Sequence, residues 1–125
     1  YNVTPRHTAR AAAILGPSKS LAVEQKVTLE TDPAKARAIG RKELSRYMVL
    51  PNYRNNWLRL GYADEEIDQG APRFIDAVLA WGDVAAIQRR VREHYDAGAT
   101  HVCIQPLATG GDYAIDWAAL ETLAP

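Results

Sequence analysis

The densest group of side chains able to hold a small molecule is the polar run that follows Pro51. It comprises three asparagines, a phenol and a guanidinium, namely Asn52, Tyr53, Arg54, Asn55 and Asn56. Amide and guanidinium groups supply several hydrogen-bond donors, so the run suits contact with a polar substrate. The same groups also suit repair of the backbone hydrogen bonds that a proline interrupts, and the sequence leaves both roles open.

A second candidate lies at the end of the last apolar run of the chain. If that run is a strand of a (β/α) barrel, its C-terminal end and the following loop belong to the face where barrel enzymes bind ligands. A side-chain amide there can meet a cofactor ring, and glycine-rich backbone can approach a cofactor or phosphate closely. We therefore predict cofactor contacts for Gln105, Thr109, Gly110 and Gly111. A strand cap and a plain connector are the alternatives.

Gln25 is the third candidate, because it is a polar residue within the apolar alternation of an earlier strand. A buried amide needs hydrogen-bond partners, which a substrate or the protein core can provide. We predict substrate contact for Gln25 and for the polar run at 52–56, with a core role for Gln25 as the alternative.

No motif of a known catalytic centre accompanies these candidates. The sequence has no Walker loop, no His-Glu-x-x-His motif and no nucleophile elbow, and its three histidines are far apart. We interpret His94 as part of the polar side of a helix and Cys103 as a small buried residue of a strand. No metal site is predicted.

Charge and hydropathy exclude further classes of partner. The 15 basic and 15 acidic residues balance, so neither a nucleic acid nor an anionic membrane is expected as a partner. The chain has one cysteine, no apolar run of membrane-spanning length and no signal peptide, from which we predict a cytoplasmic protein.

The elements that would position these residues alternate between strands and helices. Strand patterns occur at 21–31 and 101–107, and residues 1–3 are typical of a strand already in progress. Helix caps or apolar stripes lie between them, at Thr4-Pro5, Asp32-Pro33, 74–81 and Asp83. This alternation predicts an α/β fold with a parallel sheet. Three strands fit either part of an eight-stranded barrel or a small three-layer domain.

Four segments in order carry a family resemblance, namely 4–10, 30–37, 47–61 and 83–107. The third contains Leu-Pro-Asn-Tyr-Arg-Asn-Asn-Trp and is the most specific. The fourth is a helix that ends in Ala-Gly-Ala and leads into a strand. Together they resemble the last three βα units of the luciferase-like monooxygenase superfamily, in particular the subgroup that uses the deazaflavin coenzyme F-420.

The resemblance implies that residues 1–125 are a single domain, the C-terminal part of a (β/α)8 TIM barrel with strands six to eight and a helical insertion. It implies a flavin- or deazaflavin-dependent oxidoreductase that performs hydride transfer or monooxygenation on a small organic substrate. The implied cofactor is coenzyme F-420, with FMN as the alternative. Family members place most groups near the reactive ring on the first barrel strands, so this chain alone is expected to be inactive.

The expected partners are therefore the rest of the barrel or another copy of the chain, in a homo-oligomer such as a dimer. The alternative function is a non-catalytic helical interaction or oligomerisation module derived from such a barrel, whose sheet edges pair with another chain. A different class of (β/α) barrel that shares only the helix–strand pair is a third interpretation. An upstream reading frame that codes for the earlier strands would favour the enzyme.

Overall fold

The computed structural model describes residues 1–109 and 115–124. Within them the chain is mixed α/β, as predicted. In chain order the elements are α1 (Pro5–Leu15), β1 (Ala22–Thr28), α2 (Pro33–Met48), α3 (Pro51–Arg59), α4 (Asp64–Asp68), α5 (Pro72–Val78), β2 (Leu79–Trp81), α6 (Val84–Asp96), β3 (His101–Pro106) and α7 (Trp117–Leu123).

The three strands form one parallel sheet in the order β2-β1-β3. Strand β1 lies in the centre, and the register places Lys26 beside Leu79 on one neighbour and beside Gln105 on the other. Because side chains alternate along a strand, β1 presents two distinct faces. We call the face with Glu24, Lys26 and Thr28 the Lys26 face, and the opposite one the Gln25 face.

Helices contact both faces, so the described residues form three layers. On the Gln25 face, Val27 packs with Ile87 of α6 and Leu123 of α7. On the Lys26 face, Leu79 joins a core built by the helices from α2 to α5. That core is apolar and contains Leu44, Met48, Trp57, Ile67, Phe74, Ile75 and Val78.

Local sequence explains where three of the helices begin. The Thr4 side chain accepts from the His7 amide, and the Asp83 side chain accepts from the Ala86 amide. Asp32 accepts from two amides of the first turn of α2, where Pro33 supplies a preset φ. These caps fix the starts of α1, α2 and α6.

Two predicted elements are wrong. Residues 1–3 are not a strand, because Asn2 has a φ of 53°, outside the extended region, and its carbonyl accepts from the indole of Trp57 instead of a neighbouring strand. The helix predicted over 74–81 ends at Val78, and residues 79–81 form β2. The spacing of apolar residues stays helical across this boundary. Residues 79–81 are nevertheless extended, because they pair with β1.

Gly40 permits the close approach of α2 to the α5–β2 segment. A Cβ atom at this position would lie 2.6 Å from Cγ2 of Ile75 and 3.0 Å from Cδ2 of Leu79. We expect Gly40→Ala to lower the free energy of unfolding by about 2 kcal/mol, because overpacking outweighs the better helix propensity of alanine. Urea denaturation measures this loss. Ser45→Ala, at an exposed position of the same helix, is the control, and equal stability of the two variants would contradict the prediction.

Candidate functional site

A buried lysine occupies the centre of the Lys26 face. The side chain of Lys26 is 1% exposed. Its Nζ lies 3.2 Å from a carboxylate oxygen of Glu43 on α2 and 3.5 Å from one of Glu24 on its own strand. The same ammonium group donates to Oε1 of Gln105 on β3. The lysine thus joins the central strand, an outer strand and a helix.

Two phenol rings complete the surroundings of the ammonium group. Its nitrogen lies 4.7 Å from the ring centroid of Tyr1 and 5.5 Å from that of Tyr47. The two phenol oxygens lie 2.8 Å apart and share a hydrogen bond. Burial raises the pKa of Tyr47, which favours its neutral form. The rings stabilise the cation with their π faces while they exclude water from it.

The charges of this group compensate one another. Lys26 and Arg46 face Glu24 and Glu43, with Arg46 Nη2 at 2.6 Å from Glu43 Oε1. A buried cation needs such partners, since desolvation of an isolated charge is very costly. The arrangement can hold and orient a polar group, and its amine is buried and paired.

Polar atoms without partners collect around Lys26. Among the described residues, the buried side-chain nitrogen and oxygen atoms that lack a hydrogen bond belong to Asn2, Glu24 and Thr28. Glu24 and Thr28 flank Lys26 on the same face of β1, and Asn2 follows Tyr1 in the chain. Unsatisfied buried polar groups are uncommon in folded proteins, and each calls for an explanation. Their concentration here marks the Lys26 face as the candidate site.

The predicted cofactor contacts fall partly on this face. Gln105 lies beside Lys26 and is half-buried, whereas Thr109 is exposed in the turn that follows β3. Gly110 and Gly111 lie outside the described residues. Of the two predicted residues that the structure describes, Gln105 is in direct contact with the lysine.

The predicted substrate-binding run forms helix α3, where it spreads over different sides. Arg54 pairs with Asp64 and Asp68 of α4, with Nη1 at 2.6 Å from an Asp68 oxygen. The Asn56 side chain meets the ring of His7 on α1 at 3.0 Å. These two contacts tie α3 to its neighbours. The alternative of backbone repair has one counterpart, the donation from Arg54 Nη1 to the carbonyl of Met48 at 3.4 Å.

The remaining members of the run differ in exposure. Asn52 and Asn55 are exposed. Tyr53 packs its ring 5.0 Å from that of Tyr47 and 6.0 Å from that of Trp57. Tyr53 is therefore connected to the Lys26 face through Tyr47, while the two asparagines are separate from it.

Gln25 lies on the other face of the sheet, in a buried polar chain. His94 Nε2 lies 3.0 Å from Gln25 Oε1, and His94 Nδ1 lies 2.8 Å from the hydroxyl of Thr8. The Gln25 amide nitrogen donates to the carbonyls of Lys26 and Val78, so its oxygen accepts and His94 Nε2 carries the proton. The hydroxyl of Thr8 then donates to Nδ1. The chain joins α1, α6 and β1.

The predictions for His94 and Cys103 are wrong. His94 is fully buried and does not lie on the polar side of its helix, because Thr8 and Gln25 supply partners from other elements. Cys103 is exposed and not a buried strand residue, since its side chain shares the Lys26 face, which the described residues leave open at this point of β3.

The described residues set further limits on chemistry. They contain no group of three His, Cys, Asp or Glu side chains placed to hold a metal ion. Within the same part of the chain, no helix combines the length and apolar character needed to cross a bilayer. An open cleft of about 250 Å³ lies beside β2 and is lined by Trp81, Arg89 and Arg90.

Comparison of the chain with protein-family models, with curated proteins and with solved structures gives no match.

Proposed function

We propose that this chain is part of a flavin- or deazaflavin-dependent oxidoreductase, built as the last βα units of a luciferase-like (β/α) barrel. The cofactor is coenzyme F-420, with FMN as the alternative, and it lies against the Lys26 face. The bound ring supplies hydride transfer or oxygen chemistry, and the residues of this chain bind and orient it. The substrate is a small organic molecule.

The observation that carries the proposal is the set of unpartnered polar atoms beside Lys26. Glu24 Oε2 and Thr28 Oγ1 are buried without a hydrogen bond on the face that also presents Lys26 and Gln105. A fold that needed only stability would place apolar residues there, because parallel sheets normally bury two apolar faces. Polar groups that do not serve the fold are typical of functional sites.

The exposure of Cys103 indicates where a further part of the protein, or another copy of the chain, would pack. This side chain is exposed although it lies on a face of a parallel sheet. Helices α2 to α5 already pack against the β2 side of this face, so the remaining cover would be needed at β3. We therefore include the rest of the barrel, or another copy of this chain in a dimer, among the partners.

The residues present suit the polar edge of a flavin or deazaflavin ring. That edge combines carbonyl acceptors with an imide N–H donor. Glu24 offers a carboxylate oxygen as acceptor, Thr28 a hydroxyl and Gln105 an amide, so both kinds of partner are available. Gln105, Thr109, Gly110 and Gly111 would hold the cofactor, and the run at 52–56 stays the predicted substrate contact, whereas Gln25 has the core role that the sequence left as its alternative.

The test is a fluorescence titration of FMN and of coenzyme F-420 with the purified chain. We expect saturable quenching for one of the two cofactors and no turnover, because the resemblance assigns the groups near the reactive ring to earlier strands. The proposal fails if neither cofactor gives a saturable change.

A matched variant tests whether the unpartnered hydroxyl of Thr28 takes part in cofactor binding. Thr28→Val removes a buried hydroxyl without changing the side-chain shape, so it should raise the free energy of unfolding by about 1 kcal/mol while it weakens cofactor binding. Thr8→Val is the control, because that hydroxyl bonds to His94 and its loss should lower stability. If Thr28→Val binds the cofactor as tightly as the parent chain, the Lys26 face is not the cofactor site.

A further inference from the structure

Lys26 and Gln105 are direct neighbours across the β1–β3 pair. The parallel register places them side by side, so their side chains lie on the same face of the sheet. The ammonium group donates to the side-chain oxygen of Gln105. The position of the lysine therefore determines which end of the Gln105 amide faces it.

Lys26 itself has little freedom to move. Its side chain is 1% exposed, and Glu24 and Glu43 hold its nitrogen from two directions. The rings of Tyr1 and Tyr47 pack against the same nitrogen. An ammonium group has three donors and no acceptor, so only the oxygen of the Gln105 amide can face it.

The amide nitrogen of Gln105 must then point away from Lys26. Among the described residues this nitrogen has no hydrogen-bond partner, and the residue is half-buried. Gln105 therefore presents a fixed pair of N–H donors on the Lys26 face. A free glutamine would instead offer either a donor or an acceptor, depending on the rotation of its amide.

We infer that Lys26 is a positioning residue that fixes the Gln105 amide as a donor, so that the site takes a ligand with a hydrogen-bond acceptor. Carbonyl oxygens and unprotonated ring nitrogens of a flavin or deazaflavin belong to this class. An imide or amine N–H placed at the same point meets another donor and is rejected. The inference rests on the proposed function for the identity of the ligand.

Gln105→Glu distinguishes the contact of Gln105 with Lys26 from its N–H donation to a ligand. The glutamate keeps an oxygen toward Lys26 and replaces the N–H donors by a second acceptor. We expect a melting temperature at least as high as that of the parent chain, and FMN or F-420 binding weakened by roughly tenfold or more. Gln105→Met, which loses both contacts, should lower both the melting temperature and the affinity. Undiminished affinity of Gln105→Glu would overturn the inference.

A measurement without ligand tests the orientation independently. In the labelled chain, we expect a nuclear magnetic resonance correlation across the hydrogen bond between Lys26 Nζ and the side-chain carbonyl of Gln105. A folded chain in which the Gln105 amide protons face Lys26 would overturn the inference whether or not a cofactor binds. If the correlation is present but neither FMN nor F-420 binds, the orientation stands and the proposed function fails.

Discussion

Replacing Lys26 by methionine is expected to lower the free energy of unfolding by about 3 kcal/mol, the loss typical when one partner of a buried ion pair is removed. Methionine fills a similar volume but leaves two carboxylates, Glu24 and Glu43, without their shared cation. The oxygen of Gln105 loses its donor as well. Urea denaturation followed by tryptophan fluorescence measures the change, since Trp57 is fully buried in the folded state.

Two controls separate the buried charge from the change of residue type. Lys19→Met removes an exposed lysine and should change stability by less than about 0.5 kcal/mol. The double variant Lys26→Met with Glu24→Gln removes the carboxylate whose only cation among the described residues was Lys26, whereas Glu43 keeps Arg46, and should recover part of the loss. A loss below about 1 kcal/mol for Lys26→Met would show that this cluster contributes little to the fold.

The sequence predicts much of the scaffold, because the signals for it are local. Side-chain caps at Thr4, Asp32 and Asp83 and the prolines that follow two of them begin helices where the structure has them. The strand patterns at 21–31 and 101–107 contain β1 and β3, and the predicted parallel α/β arrangement is confirmed.

The errors come from interactions between distant residues. Strand β2 has three residues, and its sequence continues the apolar pattern of α5, so only pairing with β1 makes it extended. His94 is polar, and its burial depends on a threonine 86 residues earlier in the chain and a glutamine 69 residues earlier. Neither partner can be identified from spacing along the helix.

One property of the Lys26 face could be predicted from the sequence, namely that its charges need partners. Glu24, Lys26 and Thr28 occupy every second position of the strand, with Val23 and Val27 on the alternate positions, a pattern typical of a strand with one solvent-exposed side. A parallel sheet has no such side, so the predicted parallel arrangement already implies that these charges need buried partners. The identity of the partners, Glu43 and Gln105, depends on register and on the position of α2, which the sequence does not determine.

The buried polar chain on the Gln25 face gives the stability of the protein a specific dependence on pH. The pKa of His94 is lowered to about 4, chiefly by burial and to a smaller extent by nearby Arg90, while Glu93 opposes the change. Nδ1 accepts from Thr8 and Nε2 donates to Gln25, so the folded state holds the neutral ring. An unfolded chain binds the proton near the ordinary histidine pKa of about 6.5.

Between these two values the unfolded state binds more protons than the folded state, so stability falls as pH falls. The contribution is fully present above pH 6.5 and is lost as the pH decreases through the folded pKa of about 4. Since a tenfold difference in proton affinity corresponds to about 1.4 kcal/mol, the loss is about 3 kcal/mol. This slope adds to that of the carboxylates and of His7, whose pKa is also lowered by burial.

His94→Gln isolates the histidine contribution, because glutamine keeps a donor and an acceptor but does not titrate. We expect the parent chain to lose about 3 kcal/mol more than His94→Gln between pH 6.5 and pH 4, measured by urea denaturation at each pH. The carboxylates and His7 are common to both chains and cancel in the difference. His101→Gln is the control, since that histidine is exposed, and it should retain the steep dependence of the parent chain. Parallel curves for the parent chain and His94→Gln would mean that His94 takes up its proton equally in both states, and that the chain from Thr8 to Gln25 does not hold the ring neutral.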